Sequence, residues 1–279
     1  MKKILITGAN SYIGTSFEDY ISKLDDYQVD TVDMMDNLWK EQDFSSYDVV
    51  FHVAGIAHIK EIPEIESLYY EVNRDLVIDV AKKAKNSGVK QFVFLSSMSI
   101  YGLTSGIITP NTVPNPNTYY GKSKLQAEVG LQLLRDDSFK ISVLRPPMVY
   151  GKNCKGNFQS LIKIAKKVSF FPYVNNQRSM IYIDNLSSFV KKAIDEELDG
   201  VFFPQNKEYV NTSNLEKLIA NSMNKKMIIV KSTYPLIMLL RKFIVQADKA
   251  FGTLIYKDTE QFDFSYNVVN FEETIRKSV

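Results

Sequence analysis

Tyr120 and Lys124 lie four residues apart in the segment NPNTYYGKSKLQAE, and Ser97 closes an apolar run in FLSSMSIYG. A spacing of four places two side chains on one face of a helix. A phenol with a pKa of about 10 is a poor acid or base at neutral pH, and a neighbouring ammonium favours its ionised form. The trio therefore suits proton exchange at a substrate hydroxyl or carbonyl, with Tyr120 moving the proton and Ser97 hydrogen-bonding the same oxygen. A bare Tyr-x-x-x-Lys at a solvated helix start is common, so the surrounding elements must decide.

The second chemical signal is ILITGANSYIG. In a dinucleotide-binding turn the first glycine permits the tight strand-to-helix turn, the second lets backbone approach the pyrophosphate, and the third lets helix and strand pack closely. Gly8 and Gly14 take the first and third roles, Ser11 stands at the second, and Asn10, Tyr12 and Ile13 complete the turn. The Ser11 hydroxyl could donate to a phosphate beside a helix N-terminus, or serve only as a helix cap. Asp33 ends the next apolar segment, 19 residues beyond Gly14, where a carboxylate can take ribose hydroxyls. Met34 and Met35 follow it, and neither can greet a 2′-phosphate, which favours NAD over NADP. A solvated strand-end carboxylate is the other reading of Asp33.

Strand and helix patterns alternate through the first half, which predicts an α/β fold of the doubly wound, Rossmann type around a parallel sheet. KKILIT, YQVDTVD, DVVFHVA, QFVFLSS and KISVLR read as strands. Residues 12–23, 63–87 and 118–137 read as helices. Such uninterrupted apolar strands suit a sheet covered on both faces. After Arg145 come loops rich in Pro, Gly and Asn with short strands such as SMIYI and VFF. The division expected is a nucleotide-binding domain over 1–150 and a smaller α/β substrate lobe over 151–279, interleaved with it and laid over the carboxyl ends of the strands. The tail after about Lys257 has little pattern.

Composition narrows the classes. The 279 residues are 45% hydrophobic and 24% charged, ample for a buried core, and the net charge of +2 argues against a nucleic-acid partner. A single cysteine, Cys154, excludes an internal disulfide and a thiol metal cluster, which fits a reducing, cytoplasmic setting. The longest apolar stretch, 234–245, is interrupted by Arg241-Lys242 and is too short to span a bilayer. It reads as a packed helix, with contact to a membrane surface as the alternative.

TGANSYIG, Asp33, Asp43-Phe44, FHVAG, Asn73, FLSSMSIYG and YYGKSK occur in the order found in the extended short-chain dehydrogenase/reductases, the NAD-dependent epimerases, dehydratases and reductases of nucleotide sugars, and residues 1–200 resemble that family. The resemblance implies Tyr120 as acid/base, Lys124 lowering its pKa and holding the nicotinamide ribose, and Ser97 as hydroxyl partner. It implies Asp43 and Phe44 on the adenine side, Val53, Ala54 and Gly55 passing under the cofactor, and Asn73 and Pro147 near it. Asn157 resembles the asparagine that meets the substrate diphosphate and Arg178 the arginine that clamps it, a role suited to a planar fork of donors. His58, just past the strand end, is a further candidate facing the sugar, with a locally bonded loop histidine as its alternative. Dehydratases carry Asp-Glu where this chain has Met98 and Ser99, two residues placed to meet substrate, so elimination of water is not expected. Pro147 and Met148 depart from the galactose-type epimerases and resemble the 4-keto-sugar reductases of polysaccharide pathways.

The resemblance therefore implies an enzyme acting with NAD at C4 of a nucleotide-linked sugar, UDP-linked by expectation. Reduction of a 4-keto sugar is slightly favoured, with 4-epimerisation as the alternative. A cofactor-binding sensor or scaffold without turnover is the reading from another class. Pairing through the helices at 63–87 and 118–137 would make a homodimer.

Overall fold

The computed structural model describes residues 1–57, 59–259 and 265–279. They form two compact units, each discontinuous in sequence. The first comprises Met1–Gly102, Pro114–Pro146 and Leu186–Pro204, the second Leu103–Val113, Pro147–Asn185 and Gln205–Val279.

The first unit holds a six-stranded sheet of β1 (Lys2–Thr7), β2 (Tyr27–Val32), β3 (Val49–His52), β4 (Gln91–Leu95), β5 (Lys140–Leu144) and β6 (Gly200–Phe202). Every pairing is parallel, and the order across the sheet is β6-β5-β4-β3-β1-β2. Strands β3 and β4 are buried at every residue, as their unbroken apolar sequences require of a sheet covered on both faces. Its helices include α1 (Tyr12–Ile21), α2 (Glu66–Tyr70), α3 (Leu76–Asn86) and α4 (Tyr119–Gln132). Val77, Val80, Ala81 and Ala84 of α3 and Ala127 and Leu131 of α4 pack against Leu5, Val50, Phe92, Phe94 and Val143 of the sheet. The single helix expected over 63–87 is broken by a π turn at Glu71–Asp75, which carries the buried Asn73. The strand VFF, expected in the substrate lobe, forms β6 at the edge of this sheet. From β1 the chain goes outward to β2 and then returns to the other side of β1 to lay down β3. In open α/β sheets such a reversal, here at the carboxyl ends of β1 and β3, is the usual ligand position.

The second unit is built on three short parallel strand pairs: Met148–Tyr150 with Met180–Tyr182, Phe170–Pro172 with Ile228–Val230, and Gly106–Ile108 with Leu254–Tyr256. It carries α5 (Asn157–Lys167), the start of α6 (Ile183–Asp195), α7 (Thr212–Ser222), α8 (Tyr234–Phe243), α9 (Val245–Phe251) and α10 (Phe271–Ser278). Tyr150 centres its core, with ring centroids 5.0 Å from Phe158 and 5.6 Å from Tyr182. The Tyr150 hydroxyl lies 2.6 Å from Thr274 Oγ1 and accepts from Asn206 Nδ2 at 2.9 Å, so the tail that showed little pattern is anchored by α10. Among the described residues no helix is long and apolar enough to cross a membrane.

Glu216 of α7 is fully buried, and neither carboxylate oxygen has a hydrogen-bond partner among the described residues. Burial raises its pKa to about 8. The unfolded chain releases this proton near pH 4.3. Between those values the folded state holds one more proton, so stability falls as pH rises from about 4 to about 8 and is level above. Glu216→Gln removes that dependence. We expect its melting temperature to exceed the wild type's by several degrees at pH 8 and to match it near pH 4.5, as measured by thermal melts across that range.

Candidate active site

The turn after β1 is fixed by backbone geometry. Gly8 has φ of 103°, and a Cβ there would stand 2.8 Å from the Ala54 nitrogen, so only glycine lets this turn meet the end of β3. Val32 O accepts from both the Gly8 and Ala9 N–H groups, at 2.9 and 3.1 Å. Asn10 is also left-handed, with φ of 64°. The Ser11 hydroxyl accepts from Gly14 N at 3.2 Å as the N-cap of α1, which Tyr12 and Ile13 open. Asp33 begins where β2 ends beside this turn. It is exposed and accepts from Met35 N at 2.9 Å. Asp43 is exposed and holds both the Ser45 N–H and hydroxyl at 2.8 Å. Phe44 turns its ring wholly into the core, which leaves its backbone beside the exposed Asp43.

Behind the turn, Val53 and Ala54 are buried and Gly55 is exposed. A Cβ on Gly55 would fall 2.8 Å from Asn73 Oδ1 and 3.4 Å from Lys124 Nζ, so strand end, π turn and α4 converge at this point. Asn73 accepts from Ile56 N at 2.9 Å, donates to Ile56 O at 3.0 Å and reaches Ser123 Oγ at 3.3 Å, which ties the strand end to α4. His52 bonds Thr7 Oγ1 through Nδ1 at 2.8 Å. Burial, helped by the Lys124 charge, lowers its pKa to about 3, so the imidazole is neutral.

Thr118 caps α4, accepting from Gly121 N at 3.0 Å. The Glu61 carboxylate takes the next two orphan donors, Tyr119 N at 2.9 Å and Tyr120 N at 3.0 Å, and its negative charge sits at the favourable end of the helix dipole. Lys124 is buried, donates to Leu95 O at 2.9 Å and lies 4.7 Å from the centre of the Phe94 ring. Burial brings its pKa down to about 7 against the opposing pull of Glu128. Tyr120 differs from the sequence expectation. Burial raises its phenol pKa, and the opposing influence is a hydrogen bond with Ser97 rather than the Lys124 charge. Ser97 accepts from Ser99 N at 3.1 Å and holds the turn Met98–Tyr101, in which Met98 N donates to Pro146 O at 3.0 Å and Ser99 is exposed.

One polar cluster escaped the sequence reading. Glu128, one helical turn beyond Lys124, is buried with Arg145, whose Nη2 donates to it at 2.6 Å and whose Nε donates to both oxygens at 3.2 Å. The Ser96 hydroxyl donates to the same carboxylate, and Arg145 Nη1 donates to Tyr101 Oη at 2.8 Å. One buried ion pair thus holds both ends of the segment containing Ser97. Only the spacing of Glu128 from Lys124 hinted at it.

In the second unit Pro147 is buried, and Asn157 is exposed as the first residue of α5, whose N-cap position is Gly156 and lacks a side-chain cap. Arg178 pairs through its backbone with Val210 and Leu254. Its Nη1 donates to Gly252 O at 3.1 Å and Thr104 O at 3.4 Å, and among the described residues no carboxylate forms an ion pair with it. Burial lowers its pKa against the opposing pull of the Asp248 carboxylate. His58 lies outside the described residues.

Glu128→Gln leaves a buried guanidinium without its counter-charge. We expect a loss of about 3–5 kcal/mol in unfolding free energy, and a smaller loss for the double replacement Glu128→Leu, Arg145→Leu, both read from urea denaturation.

The chain is 32% identical over 251 residues to UDP-glucose 4-epimerase of Vibrio cholerae, covering 80% of this chain and 76% of that one. It is 29% identical over 259 residues to N-acetyl-alpha-D-glucosaminyl-diphospho-ditrans,octacis-undecaprenol 4-epimerase of Escherichia coli O157:H7, covering 85% and 77%. Its fold matches UDP-glucuronic acid 4-epimerase from Bacillus cereus in complex with NAD, with a TM-score of 0.76 at 18% identity over 99% of this chain and 97% of that one. The model of the NAD dependent epimerase/dehydratase family matches residues 4–202, and the chain belongs to that family.

Proposed function

We propose that the chain is an NAD-dependent 4-epimerase of a sugar carried on a diphosphate. The observation that carries this reading is the grouping of Ser97, Tyr120 and Lys124 around the end of β3 in a member of an NAD-dependent family. Both relatives named above are 4-epimerases, which favours C4 as the reacting carbon.

The residues present fit the cofactor: the Gly8 turn packs bare backbone against Ala54 beside the N-terminus of α1, and Asp33 stands where ribose hydroxyls need an acceptor. The turn Gly8–Gly14, Asp33, Gly55 and Lys124 would hold it. Bound there, NAD would supply the hydride acceptor for C4 and, as NADH, the donor that returns the hydride to the opposite face. Tyr120 takes the proton of the C4 hydroxyl at its phenol oxygen and gives it back. Because burial holds that proton on, Ser97 must favour the phenolate, and the charge state of Lys124, poised at about 7, completes the balance. Arg178 and Asn157 are the candidates to hold the diphosphate, Arg178 as a guanidinium that among the described residues donates to the Gly252 and Thr104 carbonyls and forms no direct ion pair.

Reduction of a free 4-keto sugar would use the same three side chains. The resemblance of Pro147 and Met148 to the 4-keto-sugar reductases favours it, whereas Ser11, in place of the middle glycine, caps α1 and steadies the cofactor turn. An epimerase regenerates its cofactor in place and gains from holding it. Protein purified without added cofactor and then denatured is expected to release close to one NAD per chain. Empty protein that binds NADH reversibly would instead favour the reductase. Tyr120→Phe is expected to keep the NAD and to lose about 10²–10⁴-fold in turnover of UDP-sugars. Turnover that survives the substitution removes Tyr120 from the chemistry.

A further inference from the structure

Helix α8, sequence YPLIMLLRKF, buries only Ile237. Leu236 is 56% exposed, Leu239 53% and Phe243 78%, and Ile244 just beyond is exposed as well. The spacing of Leu236, Leu239 and Phe243 sets them on one side of the helix. A surface helix ordinarily turns its apolar stripe inward, but beside the buried Ile237 this one keeps a second apolar stripe in water, and a continuous exposed stripe marks an interaction site.

The charges around it have one sign. No acidic residue occurs between Lys231 and Asp248. Asp248 is spent inside the unit, accepting from Arg241 at 3.0 Å, Thr104 at 2.7 Å and Ser105 at 2.8 Å. Lys231, Lys242 and Lys249 are exposed. An apolar stripe flanked by lysines is the composition of a helix lying in the plane of an anionic bilayer, where the stems stay in apolar surroundings and the ammonium groups meet phosphates. Symmetric pairing with a second copy would instead bring these lysines together.

The helix is also joined to the candidate diphosphate clamp. Asp248 of α9 holds Thr104, and the Thr104 and Gly252 carbonyls are the acceptors of Arg178 Nη1. Whatever seats α8 and α9 therefore also seats Arg178.

We propose that α8 and α9 dock on an anionic membrane surface and so present Arg178 to a sugar diphosphate carried on a lipid, an inference that rests on the reading of Arg178 above. The test is sedimentation of the full chain with vesicles of phosphatidylethanolamine and phosphatidylglycerol, against vesicles of phosphatidylcholine alone. Binding to the anionic vesicles is expected, with about a tenfold loss on phosphatidylcholine and a similar loss for the double variant Leu239→Glu, Phe243→Glu. Retained NAD and a thermal melt show that the variant is folded. In the same vesicles the wild type is expected to epimerise a polyprenyl-diphosphate sugar, and the variant to lose that turnover while keeping its turnover of UDP-sugar. Absent binding, or binding that the double variant leaves intact, overturns the docking. A change from dimer to monomer in the variant, without vesicle binding by the wild type, overturns it in favour of a second copy on this face. Vesicle binding with turnover of UDP-sugar alone overturns the lipid-linked substrate. Vesicle binding with no turnover of either sugar supports the docking and counts against the epimerase reading instead.

Discussion

The buried ion pair between Glu128 and Arg145 is the interaction on which the geometry of the candidate site depends. A charge pair removed from water is tolerated only when its remaining hydrogen-bonding capacity is filled, and here Ser96 and Tyr101 fill it. Those two residues bracket the segment that carries Ser97, while Glu128 sits one helical turn from Lys124. The orientation of the serine and the depth of the lysine are therefore set by the same carboxylate.

Around that pair the site works by desolvation. Burial pushes the Tyr120 phenol up and the Lys124 ammonium down, and it keeps His52 neutral. Each shift opposes the charged form. The Glu61 carboxylate, bound to the first two amides of α4, fixes the backbone from which Tyr120 projects. Proton transfer needs that kind of placement, since a phenol displaced by a fraction of an ångström loses its hydrogen bond to Ser97.

The second unit carries its polarity differently. The polar groups around Tyr150 are satisfied, whereas Glu216 is buried unpartnered among the described residues, Arg178 donates to backbone carbonyls and α8 keeps an apolar face in water. Arg178 and Asp248 of α9 are joined through the Thr104 and Gly252 segments, which they both hydrogen-bond.

By itself the sequence determined the strands β1 to β5, the helices α1 and α4 and the Gly8 turn, because apolar periodicity and a glycine's backbone freedom are local properties. The order of its motifs also determined the family. The tertiary structure alone decided that VFF joins the main sheet, that Phe44 belongs to the core, and that a π turn aims Asn73 at Ile56. It alone revealed Glu61, Glu128 and Arg145 as supports of α4 and its neighbours, and it set a hydrogen bond from Ser97 against the burial that raises the Tyr120 pKa. The physical reason is common to all of these. A partner 17 or more residues away, and the burial that sets a pKa, come into being only when distant segments close on one another.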